Sequence, residues 1–375
     1  MKLPIQPSPY PAPYTALYAV ARRRGAENCA AQRGLSLIEL MISITIGLLI
    51  LVALSTLFIG QSKSRVELDK SNRMIDNGRY ALELLSEELM LAGYYGEFTP
   101  SSSVPAMPTS LPDPCSTVPS NMAAALQLAV QGYDAPGPAS QISGPPCGLT
   151  YTAGSDLSLK PGSDILVVRR ASTATPIVQG VALSGITYIQ ASLCQYDALP
   201  FILDSNPANF TLRALTCTTT STVPYAVLRQ FMVDIYYVSP SYNETIVVPG
   251  SGCAVGDCIP TLKRMELDPT TNQFVPTPLV EGIDYMQIEY GLDTNGDGIV
   301  DTYVGAPGLA DWPNVVAVKM HILAKNTEAT RGYTDNRTYS LGPTAGTVSP
   351  GDSYKRHAYD QYMRLVNPAG RREIP

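Results

Sequence analysis

Oxygen-bearing groups recur at alternate positions in the segment 293–301, which reads Asp-Thr-Asn-Gly-Asp-Gly-Ile-Val-Asp and is called the Asp-rich loop below. Side-chain oxygens at loop positions 1, 3, 5 and 9, a backbone carbonyl at position 7 and a glycine at position 6 follow the spacing of an EF-hand calcium loop. The bidentate glutamate of position 12 is replaced by Val304. We therefore predict calcium as a cofactor, with these candidate ligands: Asp293, Asn295, Asp297, the carbonyl of Ile299, and Asp301.

A plain β-hairpin turn would explain part of the same pattern. Asn-Gly and Asp-Gly, which are favoured in tight hairpin turns, occupy positions 295–298, and strand-like sequence flanks the loop where an EF-hand would have helices. A turn alone requires neither Asp293 nor Asp301. Both interpretations stay open on the sequence, and the two additional carboxylates favour calcium.

Motifs for catalysis are missing from the sequence. It contains no His-Glu-x-x-His, no phosphate-binding glycine loop, no Gly-x-Ser-x-Gly and no paired Cys-x-x-Cys. His321 and His357 are the two histidines, which is a poor supply for a nucleophile-histidine-carboxylate set or a zinc site. The alternation of apolar and polar residues over 316–322 predicts that His321 lies on the exposed face of a strand. We expect no enzymatic activity.

Glu39 is the one charged residue between Leu35 and Ser62. The apolar stretch from Leu35 to Gly60 would reach roughly 39 Å as a helix, which exceeds the bilayer core of about 30 Å. An unpaired carboxylate in such a segment costs a few kcal/mol, roughly 2.5–3.5 on insertion scales. Glu39 is therefore a candidate functional residue on a membrane-spanning helix.

The order of these residues resembles a known type of signal. A secretory signal is cut after its apolar stretch, but here Gly34 precedes the stretch, and Glu39 is the fifth residue after it. This order is similar to the class III signal of type IV pilins and type II secretion pseudopilins. The resemblance implies that prepilin peptidase cuts after Gly34, that Leu35 becomes the N-methylated N-terminus, and that Glu39 serves assembly. The family usually has phenylalanine where this chain has Leu35.

The resemblance divides the chain into four parts, namely a leader over 1–34, a transmembrane helix over 35–60, an amphipathic helix over 61–98 and an extracytoplasmic head over 99–375. The leader carries five basic residues and one acidic residue. Because basic residues stay on the cytoplasmic side, the head is expected in the periplasm. Removal of the leader changes the formal charge from −6 to about −10, and no basic cluster offsets it, so we expect no nucleic-acid partner.

Six of the seven cysteines lie in the exported part, where disulfides are favoured. Six cysteines allow fifteen complete pairings, and the sequence does not decide between them. Proximity along the chain favours Cys253 with Cys258, Cys194 with Cys217, and Cys115 with Cys147.

A second helical pattern follows the span. No proline occurs between Leu35 and Phe98, and Ile75, Leu82, Leu85 and Leu89 form an apolar stripe, so we predict one helix over about 36–91 that ends before Gly93. Strands are predicted at these positions: 165–168, 225–238, 286–292, 316–322 and 356–366. The segment 99–150 is rich in Pro, Ser and Gly and is predicted as a surface excursion with one short helix. The fold class is α+β, a type IV pilin fold in which the long N-terminal helix packs on a mostly antiparallel sheet.

The sequence in the last part of this helix resembles one family of pilins in particular. Asn-Gly-Arg-Tyr-Ala at 77–81 and Ala-Gly-Tyr at 92–94 are similar to the PilW family of minor pilins. The resemblance implies a structural subunit that helps to prime type IV pilus assembly at the inner membrane and is located at or near the pilus tip. Its implied partners are other minor pilins, the major pilin and a large tip adhesin. A GspJ-like minor pseudopilin of type II secretion, which shares the signal, is the alternative.

Overall fold

The structure is a computed structural model that describes residues 34, 36–101, 103–217, 224–243, 256–268 and 270–373. The predicted leader up to position 33, Leu35 and Cys253 lie outside these residues. Contacts between residues divide the chain into two compact units, Met1–Gln61 and Ser62–Pro375. The longest element is one helix, α1 (Leu37–Leu91). The predicted boundary between the transmembrane helix and the amphipathic helix, at residue 60, falls inside it.

The end of α1 agrees with the sequence prediction. The helix stops at Leu91, and Gly93 adopts a left-handed conformation with φ of +74°. Its N–H donates to the carbonyl of Arg169, 2.8 Å away. A side chain at this position would meet Ala129 and Arg371 at under 3 Å, so glycine suits both the backbone angle and the close packing.

Within the second unit, α1 buries a narrow face on two sheets. Leu82, Leu85 and Leu89 are buried as predicted, but Ile75 is exposed and its neighbour Met74 is buried instead. Gly78 lies on this face as well, because the ring of Tyr359 occupies the space where a side chain would be. The predicted stripe was therefore wrong by one residue at its first position.

Every pair of strands among the described residues of the second unit is antiparallel. The seven-stranded sheet comprises β1 (Val130–Tyr133), β2 (Ile165–Ala171), β3 (Tyr188–Ala191), β4 (Phe201–Asp204), β5 (Leu228–Ser239), β6 (Thr261–Asp268) and β7 (Gln273–Glu281). The four-stranded sheet comprises β8 (Ile283–Leu292), β9 (Thr302–Val304), β10 (Val315–Lys325) and β13 (Arg356–Arg364). Between β10 and β13 in the chain, β11 (Tyr339–Ser340) and β12 (Thr347–Val348) form a separate two-stranded sheet. The described residues of this unit also form two short α-helices, α2 (Pro119–Ala124) and α3 (Val366–Arg372). The α+β fold with a long N-terminal helix is confirmed.

The two sheets share one core with α1. Alternate residues of β5 and β10, such as Tyr236 and Met320, pack under the helix beside Leu85. The opposite face of the seven-stranded sheet contributes Ile165 and Val233 to a second core. Successive residues of a single strand thus contribute to two different cores, because side chains alternate between the two faces of the sheet.

The segment 99–150 covers that second core and is not a plain surface excursion. Met122, Leu126 and Leu149 are buried against the face of the seven-stranded sheet that points away from α1. The disulfide between Cys115 and Cys147 closes a loop of 32 residues within the segment. A second disulfide joins Cys194 to Cys217. Both pairings are those that chain proximity favoured. The expected partner of Cys258 lies outside the described residues, so that pairing stays a prediction.

One buried arginine links three acidic residues at the edge of the four-stranded sheet. Arg356 donates from Nε to Asp284 at 2.7 Å and from both terminal nitrogens to Asp352 at 2.6 Å, and its Nη1 lies 3.5 Å from Asp335. Lys160 lies 2.9 Å from Asp284. Burial raises the pKa of Asp284, but the charges of Lys160, Lys325 and Arg356 outweigh burial and lower this pKa to about 2.

Candidate functional site

The start of α1 carries the predicted processing and assembly residues. Gly34 is exposed, and apart from its chain neighbours no heavy atom of the described residues lies within 4 Å of the position that a β-carbon would take there. Ser36 precedes the helix, and its hydroxyl accepts from the N–H of Glu39 at 3.2 Å, which is an N-terminal cap. Leu35, the predicted new N-terminus, lies outside the described residues. Gly34 thus lies two residues before a helix start that Ser36 caps.

The first part of α1 is apolar and solvent-facing. Its large apolar side chains are all at least half exposed, and Leu49 and Phe58 are more than two thirds exposed. By length and composition the helix could cross a membrane, and no part of its most apolar stretch is buried within the protein. Glu39 stands on this surface and has no ion-pair partner among the described residues. These features fit a membrane-anchored protein.

The Asp-rich loop connects β8 to β9 as a nine-residue hairpin loop, since Leu292 pairs with Thr302. Its own side chains fold it. The two carboxylate oxygens of Asp293 accept from the N–H groups of Gly296 at 2.6 Å and Gly298 at 2.8 Å. The side chains at positions 295 and 297 each accept from the N–H two residues later, at 3.0 and 2.8 Å. The loop is therefore held by side-chain-to-backbone hydrogen bonds that repeat every second residue.

Asp293 and Asp301 anchor the two ends of the loop. Asp301 accepts from the N–H and the hydroxyl of Thr294, at 2.7 and 2.6 Å, and these hydrogen bonds lower its pKa. Burial raises the pKa of Asp293, but hydrogen bonds from Gly298 and Gly296, together with Arg372, lower it on balance. Both carboxylates are thus held in their charged form, which is the form that a cation would require.

Arg372 of α3 already contacts the first predicted calcium ligand. Its Nη1 lies 3.2 Å from both the carbonyl and Oδ2 of Asp293, and its Nη2 donates to the carbonyl of Pro313 at 3.0 Å and to the side chain of Asn314. The donor set of the loop is all oxygen, as calcium prefers. The donor chemistry fits calcium, but Arg372 competes for Asp293, and the carboxylates of Asp293, Asp297 and Asp301 do not all lie within 4.8 Å of one another.

One other cluster has ligand-like side chains. Asp113, Cys115 and Cys147 offer ligand atoms within 4.8 Å of one another, the one such group of three found among the described residues. The two sulfur atoms are joined in a disulfide, so they cannot serve as thiolate ligands. This cluster is consequently structural.

His321 was predicted on an exposed face, and that prediction is wrong. Its side chain is buried, with Nδ1 2.5 Å from Asp360 on β13 and Nε2 3.6 Å from Glu289 on β8. The segment 339–348 covers this face of the sheet, and Gly342 lies directly over the imidazole. The alternation did put His321 on the face away from α1, but a distant segment of the chain buries that face.

Two family models match the chain. Residues 235–367 match the type IV pilus-assembly protein W, PilW, and residues 29–55 match the prokaryotic N-terminal methylation motif. The chain carries a PilW domain behind a prepilin-type N-terminus. The PilW domain contains the Asp-rich loop, and the methylation motif contains Gly34 and Glu39. Such a motif implies processing by prepilin peptidase and assembly with other pilins.

A solved structure, a type IV-like pilin from Thermus thermophilus, also resembles part of the chain. It is 16% identical, the match covers 37% of this chain and 66% of that pilin, and the TM-score is 0.22. A match with this TM-score does not define a fold. The similarity of this chain to pilins therefore rests on the matches to PilW and to the methylation motif. No curated protein matches the sequence.

Proposed function

We propose that this chain is a minor pilin that helps to prime type IV pilus assembly at the inner membrane and stays at or near the pilus tip. The observation that carries the proposal is the presence of two matches in one chain. Residues 235–367 match PilW, and the prepilin-type N-terminus leads into the uninterrupted helix α1. The role is structural and non-catalytic. Prepilin peptidase cleaves after Gly34 and methylates Leu35, and the head lies in the periplasm until assembly.

The exposed apolar part of α1 supplies the mechanism. A pilin that leaves the bilayer exchanges lipid for the apolar helices of neighbouring subunits, and the exposed side chains from Leu37 to Ile59 suit both surroundings. A carboxylate in such a medium requires a cationic partner. The N-terminal amine of an adjacent subunit is a suitable cation, so Glu39 sets the axial register between subunits.

The proposed partners are the other minor pilins, the major pilin and a large tip adhesin. The alternative, a GspJ-like cap of a type II secretion pseudopilus, shares the processing signal but is disfavoured by the match of residues 235–367 to PilW. Deletion of the gene decides between them. We expect loss of surface pili and twitching motility with normal exoprotein release, restored by the wild-type gene. A block of exoprotein release with intact pili would refute the proposal.

We also propose that the Asp-rich loop binds calcium and thereby stiffens the hairpin between β8 and β9. Asp293, Asn295, Asp297 and Asp301 would contribute side-chain oxygens, directly or through water, and Ile299 its carbonyl. The observation that favours this role is the repeated side-chain-to-backbone hydrogen bonding, which leaves the loop folded with charged carboxylates at both ends. Without a position-12 glutamate we expect a Kd of roughly 10⁻⁴–10⁻³ M.

Calorimetry and thermal melting of residues 63–375 test the calcium proposal. Millimolar calcium should raise the melting temperature by mass action, magnesium should do so less, and a chelator should reverse the effect. The double variant Asp293→Ala, Asp297→Ala should lose the response. Arg372→Gln should strengthen binding, because a competing cation is removed from Asp293. If calcium shifts neither the wild type nor Arg372→Gln, the loop is a plain hairpin turn.

A further inference from the structure

A cavity of about 400 Å³ lies beside α3. Its apolar wall includes Met107, Trp312 and Pro368, and its polar wall includes Arg371 and Arg372. The volume lies in the usual range for small-ligand pockets, roughly 300–1,000 Å³. An apolar wall that faces charged groups is the general composition of such a pocket.

The charge of the cavity is opposite to that of the protein as a whole. The chain has a formal charge of −6, yet none of the described residues lining the cavity is acidic. Arg372 is paired with Asp293, at 3.2 Å. Arg371 donates to the carbonyls of Asn367 at 3.0 Å and Gly93 at 3.5 Å, and it has no carboxylate partner among the described residues. One guanidinium on the wall is therefore neutralised and the other is not.

The position of Arg371 is unfavourable for an isolated cation. Burial lowers the pKa of Arg371, and the neighbouring charge of Arg372 lowers it further. A guanidinium offers five N–H donors, and two carbonyl contacts leave donor capacity for a carboxylate, which pairs with arginine through two parallel hydrogen bonds. Beside it, Asn314 uses its side-chain oxygen to accept from Arg372, so its amide N–H groups are the part that can face a ligand.

We propose that this cavity binds a carboxylate carried by an apolar body, with Arg371 holding the carboxylate and Trp312, Met107 and Pro368 contacting the body. The C-terminal residue of a partner polypeptide and a free small carboxylate share this chemistry. In either case the ligand supplies the negative charge that the lining residues lack. The site is independent of Glu39 and of the helix assembly described above.

Binding to the full-length mature chain in detergent tests the proposal. The probe is N-acetyl-L-phenylalanine, measured by calorimetry beside N-acetyl-L-phenylalaninamide, which has the same body without the charge, and beside inorganic phosphate. We expect saturable binding of the carboxylate at least tenfold tighter than that of the amide or of phosphate. A hexapeptide ending in phenylalanine, tested with a free and an amidated terminus, identifies the source. Tighter binding of the free peptide than of the single residue indicates a polypeptide end, and equal binding indicates a free small carboxylate.

Variants connect any binding to the cavity. Arg371→Gln should weaken the carboxylate at least tenfold, Arg371→Lys should weaken it less because it keeps the charge without the planar fork, and the exposed control Arg331→Gln should have no effect. Met107→Trp should block binding by filling the cavity without changing its charge. The proposal is overturned if wild type binds the carboxylate no better than the amide. It is also overturned if folded Arg371→Gln or Met107→Trp protein binds like wild type.

Discussion

Replacement of Gly78 by alanine should destabilise the head, although the same exchange stabilises most helices. A β-carbon on Gly78 would lie 2.3 Å from Cε2 and 2.8 Å from Cζ of Tyr359. The ring has little freedom to move, because its hydroxyl donates to the carbonyl of Ile75 at 3.2 Å and its face packs edge-on with His357 at 4.6 Å between ring centres. The clash is therefore with a fixed aromatic ring of β13.

The expected magnitude is the difference between two opposing effects. Alanine is favoured over glycine inside a helix by about 1 kcal/mol. Overpacking costs about 1–3 kcal/mol. We therefore expect Gly78→Ala to lower the free energy of unfolding by about 1 kcal/mol. In a Tyr359→Ala background the clash is absent, so the same substitution should raise the free energy of unfolding by about 1 kcal/mol, a reversal of sign.

Urea unfolding of residues 62–375 and its variants measures both effects as a double-mutant cycle. Asn72→Ala, at an exposed position of the same helix, is the matched control and should give a small gain in both backgrounds. The reasoning is refuted if Gly78→Ala stabilises the wild-type head, or if its effect is the same with and without the tyrosine ring.

Three further predictions concern processing, assembly and acid stability. The variant Gly34→Val should accumulate as uncut precursor. The intact mass of the wild-type protein should correspond to a methylated chain that starts at Leu35, and a mature chain starting beyond residue 60 would contradict the assignment of the signal. Glu39→Ala should keep membrane insertion but reduce recovery in sheared pili, and normal recovery would remove its role in register. Arg356→Met should lower the free energy of unfolding by about 1–3 kcal/mol, because buried Asp284 loses the hydrogen bond from Nε but keeps Lys160 at 2.9 Å. Because the folded pKa of Asp284 is lowered to about 2, its contribution to stability is present above about pH 4 and is lost as pH falls towards 2; Lys160 and Lys325 remain in this variant, so its loss of stability in acid should be smaller than that of the wild type.

Patterns within short stretches of sequence, such as the alternation of apolar and polar residues or a glycine after a helix, predicted several elements correctly. The end of α1 at Leu91 follows from the glycine at position 93, and the alternation over 286–292 and 316–322 marks β8 and β10. The hairpin of β6 and β7 was not predicted. Pro276 and Pro278 weaken the strand signal of β7, and both are tolerated because β7 is an edge strand that pairs with β6 alone.

Features set by contacts between distant residues could not be predicted. Burial of His321 depends on the segment 339–348, and the contact of Arg372 with Asp293 joins residues 79 positions apart. For the cavity at Arg371, the sequence offers only two adjacent arginines near the C-terminus. Trp312, which lines the cavity, and Gly93, which accepts a hydrogen bond from Arg371, come from distant parts of the chain. Spacing along the chain identifies local turns and helix ends, whereas the environment of a charge depends on which strands and loops come to lie beside it.

The position of the single tryptophan makes the protein its own optical probe. Trp312 is 4% exposed, stacks edge-on against Tyr290 with ring centres 4.8 Å apart, and forms part of the wall beside Arg371. The next two residues, Pro313 and Asn314, accept hydrogen bonds from the arginine that contacts the Asp-rich loop. Fluorescence excited selectively in the indole therefore reports on the cavity and on the adjacent hairpin at once, without any added label. Quenching and emission wavelength can therefore follow ligand and calcium binding in the purified chain within a single titration.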